Sequence, residues 1–280
     1  MHRQLPLLSL PLLTPSVLAD CTRLTLQIVA NTYLSSQLSG VPSPTYSAIP
    51  YIQNNVPLPI TSNSSILTTP LSITHVKTTY DTQACATYIE LISTDPAPGY
   101  VIGTQIHFDN AANAPSLVDS VVTTQGDWLF NASRSLEIVL DEDWNALPDD
   151  RPRADRSQLK AAVDAYLDLW GNPAADVPWG TPCRRMEGSA YTGTGAGNDS
   201  CDVGIPGGVQ ERVVDRRYVV DEVMGSASVL SRFGAMGGAP DSHEVRVEGA
   251  AGGRGRLRFV HTMTVMRNET AGVGFGMERV

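Results

Sequence analysis

The chain has 280 residues, 42% of them apolar and only 18% charged, with a formal net charge of -9 and a pI near 5.0. That apolar content suffices for one large domain or two modest ones, and the acidic balance argues against nucleic acid or an anionic membrane surface as partner, since both need a basic footprint. A low charged fraction with plentiful Gly, Pro, Ser and Thr is the composition of an extracellular, loop-rich protein.

In chain order, the first 19 residues, MHRQLPLLSLPLLTPSVLA, read as a signal peptide. His2 and Arg3 give a cationic start, a Leu-rich run follows over residues 5–13, and Val17-Leu18-Ala19 resembles a cleavage site. The run is too short and too broken by proline to span a bilayer. Sequons at Asn63, Asn131, Asn198 and Asn268 fit a secreted glycoprotein. So does the even number of cysteines, which suits an oxidising compartment. Of the three possible connectivities, the pairing closest in sequence joins Cys21 to Cys85 and Cys183 to Cys201. No two cysteines have zinc-ligand spacing, so no metal is expected.

A repeat organises the remainder. LQIVANTYLSS, from Leu26, recurs as LKAAVDAYLDL, from Leu159, with Leu26, Tyr33 and Leu34 matching Leu159, Tyr166 and Leu167. In both copies the apolar residues fall at helical spacing. After each predicted helix come polar turns and β-branched, alternating segments: ILTTPLSITHV, ACATYIELIS, YVIGTQIHF and SLVDSVVTTQGDWLF in the first half, then CRRMEGSAYTG, RRYVVDEVM, SASVLSRF, HEVRVE and RLRFVHTMTV in the second. The expected fold is α+β: two tandem halves, each a helix over a curved antiparallel sheet, similar to the cone of the nuclear transport factor 2-like superfamily. The expected division is a signal peptide at 1–19, a first half at 20–145, a linker at 146–156, a second half at 157–267 and a flexible tail at 268–280. Asp155 or Ser157 is placed to cap the second helix.

Chemistry concentrates in the second half. In PDSHEVRVEGAAGGRGRLRFVHTMTV, a hairpin centred on Gly252 pairs His243 with His261 and puts both on the apolar face. Two imidazoles with split pKa values would supply a general acid and a general base, with Asp241 or Asp221 orienting them. A two-residue turn is expected at Met224-Gly225. Arg217, beside Arg216, is a candidate contact for an anionic substrate. Trp179, Glu187 and Tyr191 lie on a turn-rich stretch that a Cys183 to Cys201 bridge would hold as a lid or sugar-stacking surface. GTGAG is neither a Rossmann nor a P-loop fingerprint, because it opens no helix and lacks the Lys-Ser/Thr pair. No nucleophile elbow or HExxH motif occurs.

The ordered words TTPLSITHVKTTYDTQACATYIELISTDPAPGYVIGTQIHF, GDWLFNAS, DAYLDLW, VPWGTPCRRMEGSAYTG, SCDVGIPGG, RRYVVDE, PDSHEVRVE and RFVHTMTV resemble a family of secreted fungal proteins known mainly as a domain of unknown function. The resemblance covers about residues 20 to 267. It implies export, disulfides and a nuclear transport factor 2-like fold, and carries no activity with it. The turn from Gly249 to Gly255 is longer and richer in glycine than the resemblance leads one to expect. The functional expectation is a small-molecule or saccharide pocket doing cofactor-independent acid/base chemistry of an isomerase, dehydratase or lyase kind. The alternative is a secreted protein that binds such a ligand without turnover.

Overall fold

A computed structural model describes residues 21–109, 114–249 and 254–266; the signal-peptide reading, Asn268 and the expected tail fall outside them. The first half comprises α1 (Arg23–Ser39), β1 (Tyr51–Gln53), β2 (Val56–Pro57), β3 (Ser72–Asp81), β4 (Ala86–Asp95), β5 (Tyr100–Asp109), β6 (Ala114–Thr123) and α2 (Ala132–Leu140). The second comprises α3 (Arg156–Asp168), β7 (Trp179–Glu187), β8 (Ala190–Tyr191), β9 (Val213–Asp221), β10 (Ser226–Phe233), β11 (Ala239–Glu248) and β12 (Arg256–Thr264). Each half holds a six-stranded sheet, in the orders β2-β1-β6-β5-β4-β3 and β8-β7-β12-β11-β10-β9. The sheets are mixed rather than purely antiparallel, because β1 runs parallel to β6 and β7 parallel to β12. The same strand order, position for position, makes the second half a topological copy of the first.

The repeated helices form where the apolar spacing predicts them. Thr22 caps α1 through Thr25 N, and Gly40 ends it in the left-handed conformation. Asp155 and Gln158 make a reciprocal capping box on α3. The sequence reading passed over α2, whose N-cap is Asn131, taken there only as a sequon. Both expected disulfides form: Cys21–Cys85 ties the start of α1 to the turn after β3, and Cys183–Cys201 ties β7 to the loop that follows β8. Asn63, Asn131 and Asn198 are exposed.

Four layers stack in the order α1, first sheet, second sheet, α3. Leu26, Ala30 and Tyr33 pack on Ile89, Ile102 and Val118; Leu159, Val163 and Tyr166 pack on Val229, Val245 and Val260. Between the sheets, Tyr88, Val101 and Val121 meet Val219, Leu230 and Met263. Both faces of each sheet are therefore covered.

The two halves are locked by a reciprocal exchange. Asp81 Oδ1 accepts from Gln83 N and Ala84 N, holding the four-residue turn between β3 and β4, while Asp221 Oδ1 does the same for Val223 N and Met224 N between β9 and β10. Each turn ends on a residue with positive φ, Cys85 at 51° and Gly225 at 58°. The expected two-residue turn at Met224-Gly225 is thus a four-residue one, because the aspartate side chain serves the loop amides. The other carboxylate oxygen crosses over: Tyr80 N donates to Asp221 Oδ2 at 2.8 Å and Val220 N to Asp81 Oδ2 at 2.9 Å. The first residues of the helices cross too, Arg23 to Asp221 at 2.7 Å and Arg156 to Asp81 at 2.6 Å. Asp221, a catalytic candidate from the sequence, bonds neither histidine. Its replacement by alanine strands a buried amide and an arginine, so Asp221→Ala should cost about 3 kcal/mol in a urea unfolding experiment; a loss below about 1 kcal/mol would contradict this role.

Candidate functional site

The register of the β11–β12 hairpin decides where the histidines point. Glu248 faces Arg256 and Val247 faces Leu257, as the symmetric reading has it, but Arg258 is then an extra residue and Arg246 pairs with Phe259. From the bulge onward Val245 faces Val260, Glu244 faces His261 and His243 faces Thr262. A single inserted residue turns every later side chain to the other face. His243 therefore points toward α3 and His261 toward the first sheet, so the expected cross-strand histidine pair does not form. Glu244 and Arg246, which alternation sets on the face opposite His243, are buried as well.

On the wall facing α3, His243 Nε2 and Asp241 Oδ2 make a very short hydrogen bond. Thr264 Oγ1 donates to the other carboxylate oxygen at 2.8 Å. Both residues are buried, at 1% and 0% exposure. The imidazole stands edge-on to Tyr166, with ring centroids 5.6 Å apart, and near Trp170 and Phe233. Trp179 lies 6.0 Å from Tyr166. The Tyr166 hydroxyl faces the Arg185 guanidinium, and burial pushes its pKa up to about 12 against the pull of that charge. Arg185 in turn pairs with Glu187 at 3.0 Å, whose other oxygen accepts from Trp128 Nε1. His243, Asp241, Trp179 and Glu187, picked separately from the sequence, thus surround Tyr166 and Arg185. Sequence reasoning counted Tyr166 only as an apolar helix position and passed over Arg185. Its alternation with Cys183 and Glu187 on β7 was the available signal.

The first half supplies an internal comparison. By the strand registers, Tyr33, Thr104 and Ser120 occupy the places of Tyr166, His243 and Thr262. There the hydroxyls form a closed chain, Tyr33 to Thr104 at 2.8 Å and Thr104 to Ser120 at 2.9 Å. In the second half His243 Nδ1, Tyr166 OH, Arg185 Nε and Ser231 Oγ are all buried without a hydrogen-bond partner. Unpaired buried polar atoms cost about 1–3 kcal/mol each, so four on one wall are a costly arrangement, where the three equivalent hydroxyls of the first half are paired and Gln37 Oε1 is left over. The segment after β8 covers this wall: Val203 O accepts from Arg185, Ile205 packs on the core, and Gln210 N donates to Trp170 O at 2.5 Å.

His261, on the opposite face, enters a buried ionic network between the sheets. Its Nδ1 meets Glu90 Oε2 at 2.8 Å and its Nε2 meets Glu142 Oε2 at 2.6 Å. Lys77 Nζ lies 3.1 Å from Glu90, 3.0 Å from Glu244 and 3.2 Å from His261 Nδ1, with its ammonium 3.4 Å from the centroid of the Trp144 ring. Ser226 Oγ donates to Glu244 at 2.7 Å and Trp144 Nε1 to Glu142 at 2.7 Å. Burial, the largest single influence, lowers the His261 pKa, but the Glu90 and Glu142 carboxylates together outweigh it and raise the pKa to about 9. Burial also opposes ionisation of Glu90, yet His261 and Lys77 hold that carboxyl well below its usual range. Glu244 is pushed up by burial despite Lys77. Glu90, inside the apolar run TYIELIS, is the partner that the sequence makes visible.

The remaining candidates lie apart from both clusters. Arg217 bonds Asp119 at 2.5 Å and Asn55 at 2.9 Å, on the first-half side of the intersheet face. Tyr191 donates to Asp199 at 2.6 Å in the stapled loop and borders a cavity of about 330 Å³ beside α2. Among the described residues no cluster of three or more His, Cys, Asp or Glu side chains is arranged to hold a metal, and no helix is long and apolar enough to cross a membrane.

The reach of the second half, from α3 through β12, coincides with a family likeness. A family model described as a domain of unknown function (DUF8021) matches residues 152–264. That match takes in Tyr166, Arg185, Asp241, His243 and His261, and leaves out the first half in spite of its identical strand order. No curated protein matches the chain.

Proposed function

We propose that the α3-facing wall of the second half is a cofactor-independent acid/base centre acting on a small organic substrate, in an exported glycoprotein of nuclear transport factor 2-like fold. The observation that carries this reading is the buried Asp241–His243 pair, beside which His243 Nδ1 and Ser231 Oγ have no hydrogen-bond partner. Because Nε2 bonds the Asp241 carboxylate, it carries the proton, and Nδ1 keeps the lone pair of a base. Asp241 stabilises the imidazolium formed when Nδ1 takes a proton. Tyr166, neutral at physiological pH, is the donor for a developing oxyanion, and Trp170, Trp179 and Phe233 are the apolar wall for the body of the substrate. Abstraction of a proton beside a carbonyl, with Tyr166 holding the enolate and His243 returning the proton elsewhere or assisting loss of a leaving group, is the isomerase or lyase chemistry this set supports. Access requires the segment after β8 to move. Export is supported by the two disulfides and the three exposed sequons. The fold reading rests on a helix packed over a six-stranded sheet in each half.

Proton NMR in heavy water, with a panel of enones and α-hydroxy ketones, tests the chemistry. The wild-type chain is expected to speed exchange beside the carbonyl for at least one of them, and His243→Gln to lose about 100-fold or more of that rate. Tyr166→Phe should lose rate while keeping the pH profile. Ligand binding without exchange would make this a binding protein, and undiminished exchange in His243→Gln would remove the histidine from the chemistry.

A further inference from the structure

The bulge that separates the histidines also opens the outer surface. Around Arg258, β12 departs from β7: Leu257 still pairs with Trp179, but the next partner of β7 is Arg184, opposite Phe259. Gly180 sits in this loosened stretch so close to β12 that a Cβ would meet Leu257 O at 2.2 Å. A groove of about 440 Å³ results, with Leu147, Pro152 and Leu257 as apolar surface and Arg151, Arg256 and Arg258 as its cations. The acid/base centre contributes none of its lining residues.

Charge pairing sets these arginines apart. In a chain of net charge -9, most other described arginines meet carboxylates, as Arg184 does with Asp141 and Arg216 with Asp164 and Asp168, Arg212 being the exception. Among the described residues Arg151 and Arg256 have no carboxylate within ion-pair distance, although both are exposed. Arg258 donates to Pro182 O at 3.4 Å and lies over the Phe259 ring. The carboxylate at the groove, Glu248, is engaged by Arg246 at 3.3 Å. An acidic protein that leaves guanidinium groups outside any direct ion pair beside an apolar floor offers a planar, bidentate match to a carboxylate. Bulges commonly re-aim side chains at functional places.

We propose that this groove binds a small organic carboxylate, with the carboxylate between Arg151 and Arg256 and the apolar body on Leu147, Pro152 and Leu257. Isothermal titration of the full chain with phenylacetate is the test, beside benzyl alcohol as the uncharged ring and sulfate as the bare anion. Saturable one-site binding of phenylacetate is expected, weaker by about tenfold in Arg151→Gln and about a hundredfold when Arg256→Gln is added. Benzyl alcohol and sulfate should each bind more weakly than phenylacetate. Because both arginines are exposed, the melting temperature should not move, which separates lost binding from lost folding. Absence of saturable phenylacetate binding, equal affinity in the double variant, or sulfate binding as tightly would each overturn the proposal. The acid/base centre is untouched by these substitutions, so the two readings fail separately.

Discussion

Lys77→Met should destabilise the protein by about 3–5 kcal/mol. The ammonium is buried among Glu90, Glu244 and His261, and methionine keeps the length of the stem while removing the charge. What remains is an excess of buried carboxylate: Glu244 loses its cation, and Glu90 and Glu142 share the single imidazolium of His261. Breaking a buried ion pair from one side is costlier than removing both partners, since the survivor keeps its desolvation penalty. The double variant Lys77→Met with Glu244→Gln should therefore recover part of the loss. Chemical unfolding of the single and double variants, with m-values compared, reads both numbers. If the double variant is less stable than the sum of the two single changes, the network is not organised around this charge.

Stability should also fall in alkali. The His261 pKa is about 9 in the folded chain against an ordinary value of 6.5. A raised folded value means the folded state holds its proton more tightly. The stabilisation is fully present below about pH 6.5 and disappears as pH rises through about 9, with a size on the order of 3 kcal/mol. The facing groups are Glu90, Glu142 and Lys77, with Glu244 beyond the lysine and His75 beside Glu90. Glu90 works in the opposite direction: its depressed value gives stability that is present above its ordinary pKa and lost on acidification. Unfolding midpoints between about pH 7 and pH 10 should decline in the wild-type chain and flatten in His261→Gln. An equally steep decline in that variant would place the alkaline lability elsewhere.

Much of the architecture was legible because it follows local rules. The matched Leu26-Tyr33 and Leu159-Tyr166 spacings gave both long helices, and the nearest-neighbour cysteine pairing holds. What escaped is the consequence of covering both faces of each sheet. On β11 every residue from Ala239 to Val247 is buried, so alternation no longer separates core from solvent, and Val245 and Phe259 on opposite faces look alike in sequence. The added residue at Arg258 leaves no mark in such a pattern, yet it sends His243 and His261 to different sites. The role of Lys77 and Glu90 was hidden for a related reason: besides each other, their partners Glu244 and His261 come from the other half, far along the chain. The parallel pairing of β1 and β7 likewise depends on distant strands.

The crossed aspartates at the two turns make the chain resemble a dimer written in one polypeptide. In a true homodimer each substitution appears at two equivalent places. Here the registers set Arg217, Gln105 and Asp119 where Lys77, Glu244 and His261 stand on the other side of the pseudo-twofold. One corner keeps a plain arginine–aspartate pair, while the other has gathered a lysine, a histidine and three glutamates around a tryptophan. Fusion frees the second corner to change without burdening the first.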